Sequence, residues 1–159
     1  MEVISATHKI GVISDTHRLM RPEALAALEG VEHIIHAGDI GTPAVMEELR
    51  RIAPVTAIRG NVDAADWARE LPEAAVVELG GITIYVIHNI LNLDFDPRAA
   101  KFSAVVYGHS HIPMQEMRGG VLYFNPGSAG PHRFHLPVSI GHLMIRGNTI
   151  SGEIISLRV

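Results

Sequence analysis

The sequence has no cysteine, few aromatic residues and no long apolar run. Without cysteine, the 159-residue chain can form neither disulfide bonds nor thiolate metal sites. Aromatic residues make up only 5% of the chain and hydrophobic residues 47%, so the core is expected to consist mostly of Ala, Val, Ile and Leu. No apolar stretch approaches the roughly 18 residues that a membrane span requires. Disulfide scaffolds and zinc–thiolate modules are therefore excluded, and no membrane partner is expected.

Positive charge is also scarce, because 13 Lys and Arg residues face 17 Asp and Glu residues, for a formal net charge of −4. A protein that wraps nucleic acid phosphates needs clustered Lys and Arg, so long nucleic acid is not an expected partner. The first 14 residues (MEVISATHKIGVIS) lack the basic start and apolar run of a signal peptide. We therefore expect one cytoplasmic domain over residues 1–159, long enough to bury a core.

The first half of the chain alternates short apolar runs with helical patterns. The predicted strands are 9–14, 33–37 and 55–59, and the predicted helices are 22–28 and 43–51. Both helices begin with Pro in the first turn, and Thr42 is a candidate cap for the second. This βαβαβ order predicts a parallel sheet with right-handed crossovers.

The second half is typical of hairpins. Predicted strand pairs 75–79/82–87, 114–118/121–125 and 138–145/149–157 flank the turns Gly80-Gly81, Gly119-Gly120 and Gly147-Asn148. A short helix is predicted around 96–101, before a buried strand at 104–107. Parallel units followed by hairpins predict an α/β fold, a four-layer α/β/β/α sandwich of two mixed sheets with flanking helices.

Polar residues that can bind metal follow five of the predicted strands. In chain order these residues are Asp15, His17, Asp39, Asn61, His88, His109 and His111. In parallel sheets ligands bind outside the carboxyl ends of the strands, so the seven side chains would converge on one rim. Carboxylate, amide and imidazole groups without sulfur suit divalent ions such as Mn²⁺, Fe²⁺ or Zn²⁺.

Each of these positions has an ordinary structural alternative. Asp15 and Asp39 could cap a turn or a helix, and a lone His88 is more often a hydrogen-bonded strand-end residue. The pair His109 and His111 is a stronger signal, because the strand period directs both imidazoles to one side. Polar residues at the ends of five strands are better explained by one shared metal site than by five unrelated structural roles.

In this order the residues resemble the calcineurin-like metallophosphoesterases. The blocks that carry the resemblance are D-x-H at 15–17, G-D at 38–39, G-N at 60–61, the strand-end His88 and G-H-x-H at 108–111. The short chain and the segment NPGS at 125–128 resemble the small, single-domain phosphodiesterase branch. The resemblance extends from Asp15 to about Arg133.

The resemblance implies two divalent metal ions, with Mn²⁺ as the first candidate and Zn²⁺, Fe²⁺ and Ni²⁺ as others. Asp15, His17 and His111 would hold one ion. Asn61, His88 and His109 would hold the other, and Asp39 would bridge the two. Asp39, Asn61 and His88 would also act in catalysis, and Asn61 and Arg133 would contact the substrate. Arg133 has an equal alternative as a solvated surface residue.

Such a centre has a definite chemistry. Two divalent ions roughly 3.5–4 Å apart can share a hydroxide and acidify it into the neutral range, for in-line attack on phosphorus. Two ions, two carboxylates and one hydroxide leave a charge of about +1, which attracts an anionic ester. A small phosphate ester, most simply a phosphodiester, is the expected substrate.

Several positions depart from the family pattern or stay open. Many members place after G-N a His that protonates the leaving group, whereas this chain has Val62. Asp63 follows, but a carboxylate near metal ions is expected to be ionised and a poor acid. Ser128 could support the site or only form a turn. His36, inside a strand, is expected to be hydrogen-bonded in the core or behind the site.

Two other function classes compete with the enzyme. The same fold resembles a subunit of the retromer coat, a protein-binding scaffold that lacks part of the ligand set. All seven donors are present here, which favours the enzyme. Metal storage or sensing finds no support in His-rich tracts or a DNA-reading motif. Exposed hairpin edges could pair between copies, so a homo-oligomer is an open expectation.

Overall fold

A computed structural model describes residues 7–159, which form ten strands in two five-stranded sheets. The strands are β1 (Thr7–Ile13), β2 (His33–His36), β3 (Val55–Ala57), β4 (Ala74–Leu79), β5 (Ile82–Ile87), β6 (Ala104–Val106), β7 (Met114–Arg118), β8 (Val121–Asn125), β9 (Ser139–Arg146) and β10 (Thr149–Ser156). The helices are α1 (Pro22–Ala27) and α2 (Pro43–Arg50), with 3₁₀ turns at Asp66–Ala68 and Ile90–Asn92. The first six residues, which belong to the segment predicted to lack a signal peptide, lie outside the described residues.

Both sheets are mixed. The first has the order β10-β9-β1-β2-β3, in which β1, β2 and β3 are parallel as predicted. The second has the order β4-β5-β6-β8-β7, with parallel β5, β6 and β8 between two antiparallel edges. All three predicted hairpins form. At the first of them, Gly80 (φ 59°) and Gly81 (φ 79°) adopt the positive φ angles that a tight two-residue turn requires.

Two apolar clusters hold the layers together. Between the sheets, Ile10 and Ile35 pack with Ile84, Val106 and Phe124, all buried. On the outer face of the first sheet, a second cluster includes Ile34 of β2, Leu28 beside α1 and Leu49 of α2. Burial of these side chains positions the strand ends, because about 25 cal/mol per Å² of apolar surface favours the packed arrangement.

The outer face of the second sheet differs in detail from the prediction. Residues 96–101 form hydrogen-bonded turns and not a helix. The segment is short, and Lys101 leaves the helical region with a φ of 66°, so the costly first helical turn is not extended. Tyr85, Phe95 and Phe102 cover this face together with the 3₁₀ turn. The predicted α/β sandwich is confirmed, with a thinner fourth layer.

A smaller correction concerns the start of α2. Thr42 has the extended backbone of a cap residue, but its side chain makes no capping hydrogen bond. Pro43 starts the helix instead, since its fixed φ suits the first helical position. Within residues 7–159, no helix is long and apolar enough to cross a membrane. The assignment of residues 1–159 to a single domain stays a prediction.

Candidate metal centre

The structure brings all seven predicted ligands together at one rim of the sandwich. They lie on the loops that follow β1, β2, β3, β5 and β6. One group contains Asp15, His17 and His111, and the second contains Asp39, His88 and His109. Asn61 joins the second group, because its Oδ1 lies 3.3 Å from Nδ1 of His109. The two groups match the division that the family resemblance implies.

In the first group the donor atoms are close enough to share one ion. His111 Nε2 lies 3.3 Å from Asp15 Oδ1 and 3.3 Å from His17 Nε2. His17 Nε2 lies 3.8 Å from Asp15 Oδ1. Atoms that ligate one ion at about 2.1 Å are about 3.0–3.4 Å apart in octahedral or tetrahedral geometry. The group therefore fits a small divalent ion with little adjustment.

Asp39 lies between the two groups. Its Oδ2 is 3.2 Å from His88 Nε2 in the second group and 3.8 Å from His17 Nε2 in the first. Asp15 Oδ1 of the first group also approaches the second, at 3.9 Å from His88 Nε2, so the two carboxylates together occupy the space between the groups. A single carboxylate in this position can serve both groups.

Each carboxylate divides its two oxygens between the scaffold and the centre. Asp15 Oδ2 accepts hydrogen bonds from the Ser14 hydroxyl (2.7 Å) and the His109 N–H (3.1 Å). Asp39 Oδ1 accepts one from the Val62 N–H (3.1 Å). The other oxygen of each faces the imidazoles, so the protein holds the carboxylates in place and leaves one oxygen of each free to ligate.

Unsatisfied polar atoms mark the same place. Over residues 7–159, the buried side-chain atoms without a hydrogen-bond partner are Asp15 Oδ1, His88 Nε2 and His111 Nδ1. Leaving such an atom unpaired costs about 1–3 kcal/mol, so native proteins rarely tolerate it. A bound cation would satisfy Asp15 Oδ1 and His88 Nε2 directly. The residues present therefore fit a metal centre.

Two buried histidines have defined tautomers. His88 Nδ1 donates to the Ala37 carbonyl (2.7 Å), so Nε2, at 3.2 Å from Asp39 Oδ2, is the nitrogen on which a metal ion can replace a proton. His36 Nδ1 accepts the Gly38 N–H (3.1 Å), so its Nε2 carries the proton towards the Thr16 hydroxyl (3.0 Å). Burial lowers the pKa of His36 to about 4 despite the carboxylates nearby, so the ring is neutral. His36 thus lies behind the site and ties the β1 and β2 loops together.

Asp39 is ionised at neutral pH. Burial raises the pKa of Asp39, but contacts with the His88 imidazole and the Val62 N–H, with further attraction from His17, more than offset that effect. The net result is a pKa below the ordinary value. A negative carboxylate beside two imidazoles favours any cation that replaces the imidazole proton, so metal binding here should release protons.

Five of the seven predicted ligands have a left-handed backbone. Their φ angles are 55° at Asp15, 45° at His17, 57° at Asp39, 70° at His109 and 64° at His111. A residue with a Cβ loses about 1–2 kcal/mol in this region, and such strain clusters at functional sites. The sequence pattern does not reveal these angles, because none of the five residues is glycine.

Glycines beside the ligands allow the loops to approach one another. A Cβ at Gly60 would overlap Asp39, and one at Gly108 would overlap the Ser14 hydroxyl and crowd Asp15. The glycine in each predicted G-D, G-N and G-H block is thus explained by close packing against a neighbouring ligand loop, since Gly38 similarly faces His88.

Asp63 braces the ligand loops and is not free to act as an acid. It is buried, and its carboxylate accepts N–H groups of Ile40 (3.1 Å), Gly41 (3.1 Å) and Gly60 (2.9 Å). Its hydrogen bonds connect the loop after β2 with the loop after β3.

The NPGS segment supports the site as well as forming a turn. The Asn125 amide donates to the Gly108 carbonyl and to the Ser110 hydroxyl, both at 3.1 Å. The Ser128 hydroxyl donates to the Asp15 carbonyl at 2.9 Å. The segment therefore holds the loops that carry Asp15 and His109 in register. Asn125 is not one of the predicted ligands. Its amide contacts the backbone and Ser110, and a sequence pattern does not reveal such contacts.

Arginines lie on either side of the centre. Arg133 lines a depression of about 210 Å³ together with His17 and His111. Arg59 lines a larger cavity of about 430 Å³ together with His88 and His109. Arg59 is absent from the predicted site because the pattern places it inside a strand, whereas β3 ends at Ala57. Its position directly before Gly60-Asn61 is the signal that marks it.

Comparison with known proteins identifies relatives of this chain. The family model of the calcineurin-like phosphoesterase superfamily domain matches residues 9–148. A probable metallophosphoesterase of Methanothermobacter thermautotrophicus is 33% identical over an alignment 158 residues long, and the alignment covers 92% of this chain and 91% of that protein. The phosphodiesterase YfcE of Escherichia coli K12 is 28% identical over an alignment 169 residues long, and the alignment covers 90% of this chain and 87% of that protein.

Solved structures share the fold. The E. coli phosphoesterase Yfce gives a TM-score of 0.67 at 25% identity, covering 94% of this chain and 100% of that chain. Vacuolar protein sorting 29 from Cryptosporidium parvum gives a TM-score of 0.81 at 21% identity, covering 98% of this chain and 93% of that chain. The second likeness is one of fold alone.

The strain at the ligands predicts an unusual order of stabilities. In metal-free protein we expect His109→Gly to be about 0.5–1 kcal/mol more stable than His109→Ala, because glycine adopts the left-handed angle without a Cβ and the side chain is exposed. Urea unfolding measures the difference. At the exposed strand residue Ser151 the order should reverse, with alanine the more stable. If His109→Gly is less stable than His109→Ala, the backbone at residue 109 is not strained.

Proposed function

This chain belongs to the calcineurin-like phosphoesterase superfamily and is a hydrolase, and we propose that it acts as a dinuclear phosphodiesterase. The observation that carries this proposal is the position of Asp39, whose Oδ2 faces imidazoles of both groups. The unpaired buried atoms of Asp15 and His88 support it, since a lone structural carboxylate would have found a hydrogen-bond donor.

We assign the ligands as the family pattern implies. Asp15, His17 and His111 would hold one divalent ion, Asn61, His88 and His109 would hold the second, and Asp39 would ligate both. Mn²⁺ is the proposed native ion, and Zn²⁺, Fe²⁺ and Ni²⁺ suit the same nitrogen and oxygen donors. When bound, the ions would supply a hydroxide nucleophile at neutral pH for in-line attack and would offset the charge that develops on the phosphoryl oxygens.

The protein's own residues set the charge and orientation of the centre. Asp15 and Asp39 contribute two negative charges, and Asn61 adds an oxygen donor without adding charge. The centre therefore stays positive enough to attract an anionic ester. Arg133 lies beside the first group, and we propose that its guanidinium attracts the phosphate of the substrate. A small phosphodiester is the proposed substrate class.

Departure of the leaving group receives little help from the chain. Val62 follows Asn61, is 51% exposed and carries no exchangeable proton. The Asp63 carboxylate accepts hydrogen bonds from three backbone N–H groups, which hold it in place between two loops. Neither residue can protonate the departing oxygen, so we propose that the reaction depends on leaving groups that are stable as anions.

A protein-binding scaffold is the weaker alternative. Its support is the fold-level likeness to vacuolar protein sorting 29. That likeness does not explain why seven donor side chains converge with buried atoms left unpaired. The enzyme accounts for both features, and a cytoplasmic location stays a prediction.

Asp39→Asn tests the shared carboxylate. Asparagine tolerates the left-handed angle but lacks the charge that a bridge between two cations needs. We expect bound metal to fall from two ions towards one or none, and hydrolysis of bis(p-nitrophenyl) phosphate to fall about 100-fold or more. Elemental analysis and steady-state rates measure the two effects. His8→Ala is the control, because His8 pairs with Glu32 at 2.9 Å and lies outside both groups. Two tightly held ions with near-normal turnover in Asp39→Asn would rule out the bridge.

Val62 predicts a steep dependence on the leaving group. A general acid contributes about 10²–10⁴-fold, so without one aryl diesters should react rapidly and alkyl diesters much more slowly. A series of diesters with graded leaving-group pKa measures the slope. Val62→His should reduce the slope if its imidazole reaches the departing oxygen. A flat plot for the unmodified protein would reveal an acid that this account lacks.

A further inference from the structure

The larger cavity adjoins the second ligand group. It has a volume of about 430 Å³, within the range of roughly 300–1,000 Å³ that small-molecule sites occupy. Asn61, His88 and His109 form the end nearest the metal centre. A phosphate placed at the centre would therefore direct one of its ester groups into this cavity.

The wall of the cavity is rigid and partly apolar. Ala74, Tyr85 and Ile87 contribute its apolar lining. Edge-on contacts hold the Tyr85 ring, with centroid distances of 4.9 Å to Phe95 and 5.3 Å to Phe102. A wall fixed in this way can bind a group of defined shape with little loss of side-chain entropy.

The polar lining provides both donors and acceptors. Arg59 donates to Glu73 through one nitrogen at 3.1 Å and keeps other N–H groups free to bind a ligand. Asn89 Oδ1 accepts the Leu91 N–H at 3.1 Å, so its NH₂ group is the remaining donor. Asn92 and Asp94 complete the lining. Groups of both kinds suit a ligand that itself carries hydroxyl groups.

The charged side chains that line the cavity carry a net negative charge. Glu73 and Asp94 carry negative charge against the single positive charge of Arg59, which Glu73 already pairs. No side chain among residues 7–159 forms an ion pair with Asp94. Asp94 and Tyr85 line the same cavity, so the carboxylate lies beside its apolar wall. A second phosphate in this cavity would meet repulsion.

We propose that the cavity binds one ester group of a phosphodiester, and that this group is uncharged and rich in hydroxyls, as in a nucleoside. The proposal rests on the proposed function of the metal centre for the position of the phosphate. Asp94 would accept hydrogen bonds from hydroxyl groups and reject an anionic group, so it would determine specificity.

Three substrates with the same leaving group test the proposal. All are p-nitrophenyl phosphodiesters, in which the second ester group is thymidine, ethyl or thymidine that carries a 3′-phosphate. With Mn²⁺-loaded protein we expect kcat/KM to be about 10-fold higher for thymidine than for ethyl, because hydrogen bonds form only with the nucleoside. The 3′-phosphate should lower kcat/KM about 3-fold, a small effect because Asp94 is exposed.

Substitution at Asp94 separates its charge from the shape of the cavity. Asp94→Asn should remove the penalty of the 3′-phosphate and reduce the preference for the thymidine diester over the ethyl diester. Asp66→Asn is the matched control, because Asp66 is exposed and pairs with Arg69 at 3.5 Å outside the cavity. Equal kcat/KM values for thymidine and ethyl, with no change in Asp94→Asn, would overturn the proposal.

Binding of thymidine itself tests the cavity without catalysis. Calorimetry on metal-free protein should detect thymidine binding that weakens in Asp94→Asn and persists in Asp66→Asn. If no diester reacts but thymidine binds in this way, the proposed function fails and the cavity assignment stands. If diesters react but neither binding nor selectivity depends on Asp94, the cavity assignment fails and the proposed function stands.

Discussion

Two buried carboxylates, Asp15 and Asp39, face one small space between the loops that follow β1 and β2. Each uses one oxygen to accept hydrogen bonds from the scaffold and turns the other towards imidazoles. Burying two negative charges together is unfavourable unless cations compensate them. The rest of the site follows from this requirement, since imidazoles of both groups face these two oxygens, and glycines allow the ligand loops to approach one another.

The fold meets the requirement through the ends of its strands and through strained loops. Parallel strands direct their carboxyl ends to one rim, and left-handed residues then turn each loop sharply after the strand. Asp63, Asn125 and Ser128 connect the loops to one another by hydrogen bonds to backbone groups. The packed core thereby supports an arrangement that the loops would not adopt alone. The strained residues hold the ligand side chains in position before a metal ion binds.

The sequence predicts the parts of this structure that depend on periodicity. The parallel unit of β1, β2 and β3, the three hairpins and the convergence of seven ligands at one rim all follow from apolar runs, glycine turns and the position of polar residues after strands. It does not predict the left-handed angles at Asp15 or His109, which depend on tertiary contacts. The brace formed by Asp63 and the position of Arg59 beside the cavity likewise depend on how distant loops meet. Residues 96–101 have a helical pattern but form turns, and the positive φ of Lys101 ends the segment before a helix can extend.

If two ions share Asp39, both should be visible by anomalous diffraction at the manganese edge from crystals of the protein loaded with Mn²⁺. We expect two peaks, one among Asp15, His17 and His111 and the other among Asn61, His88 and His109, with an Asp39 oxygen next to both. A single peak, or no peak at these residues in protein that still hydrolyses phosphodiesters, would contradict the shared carboxylate.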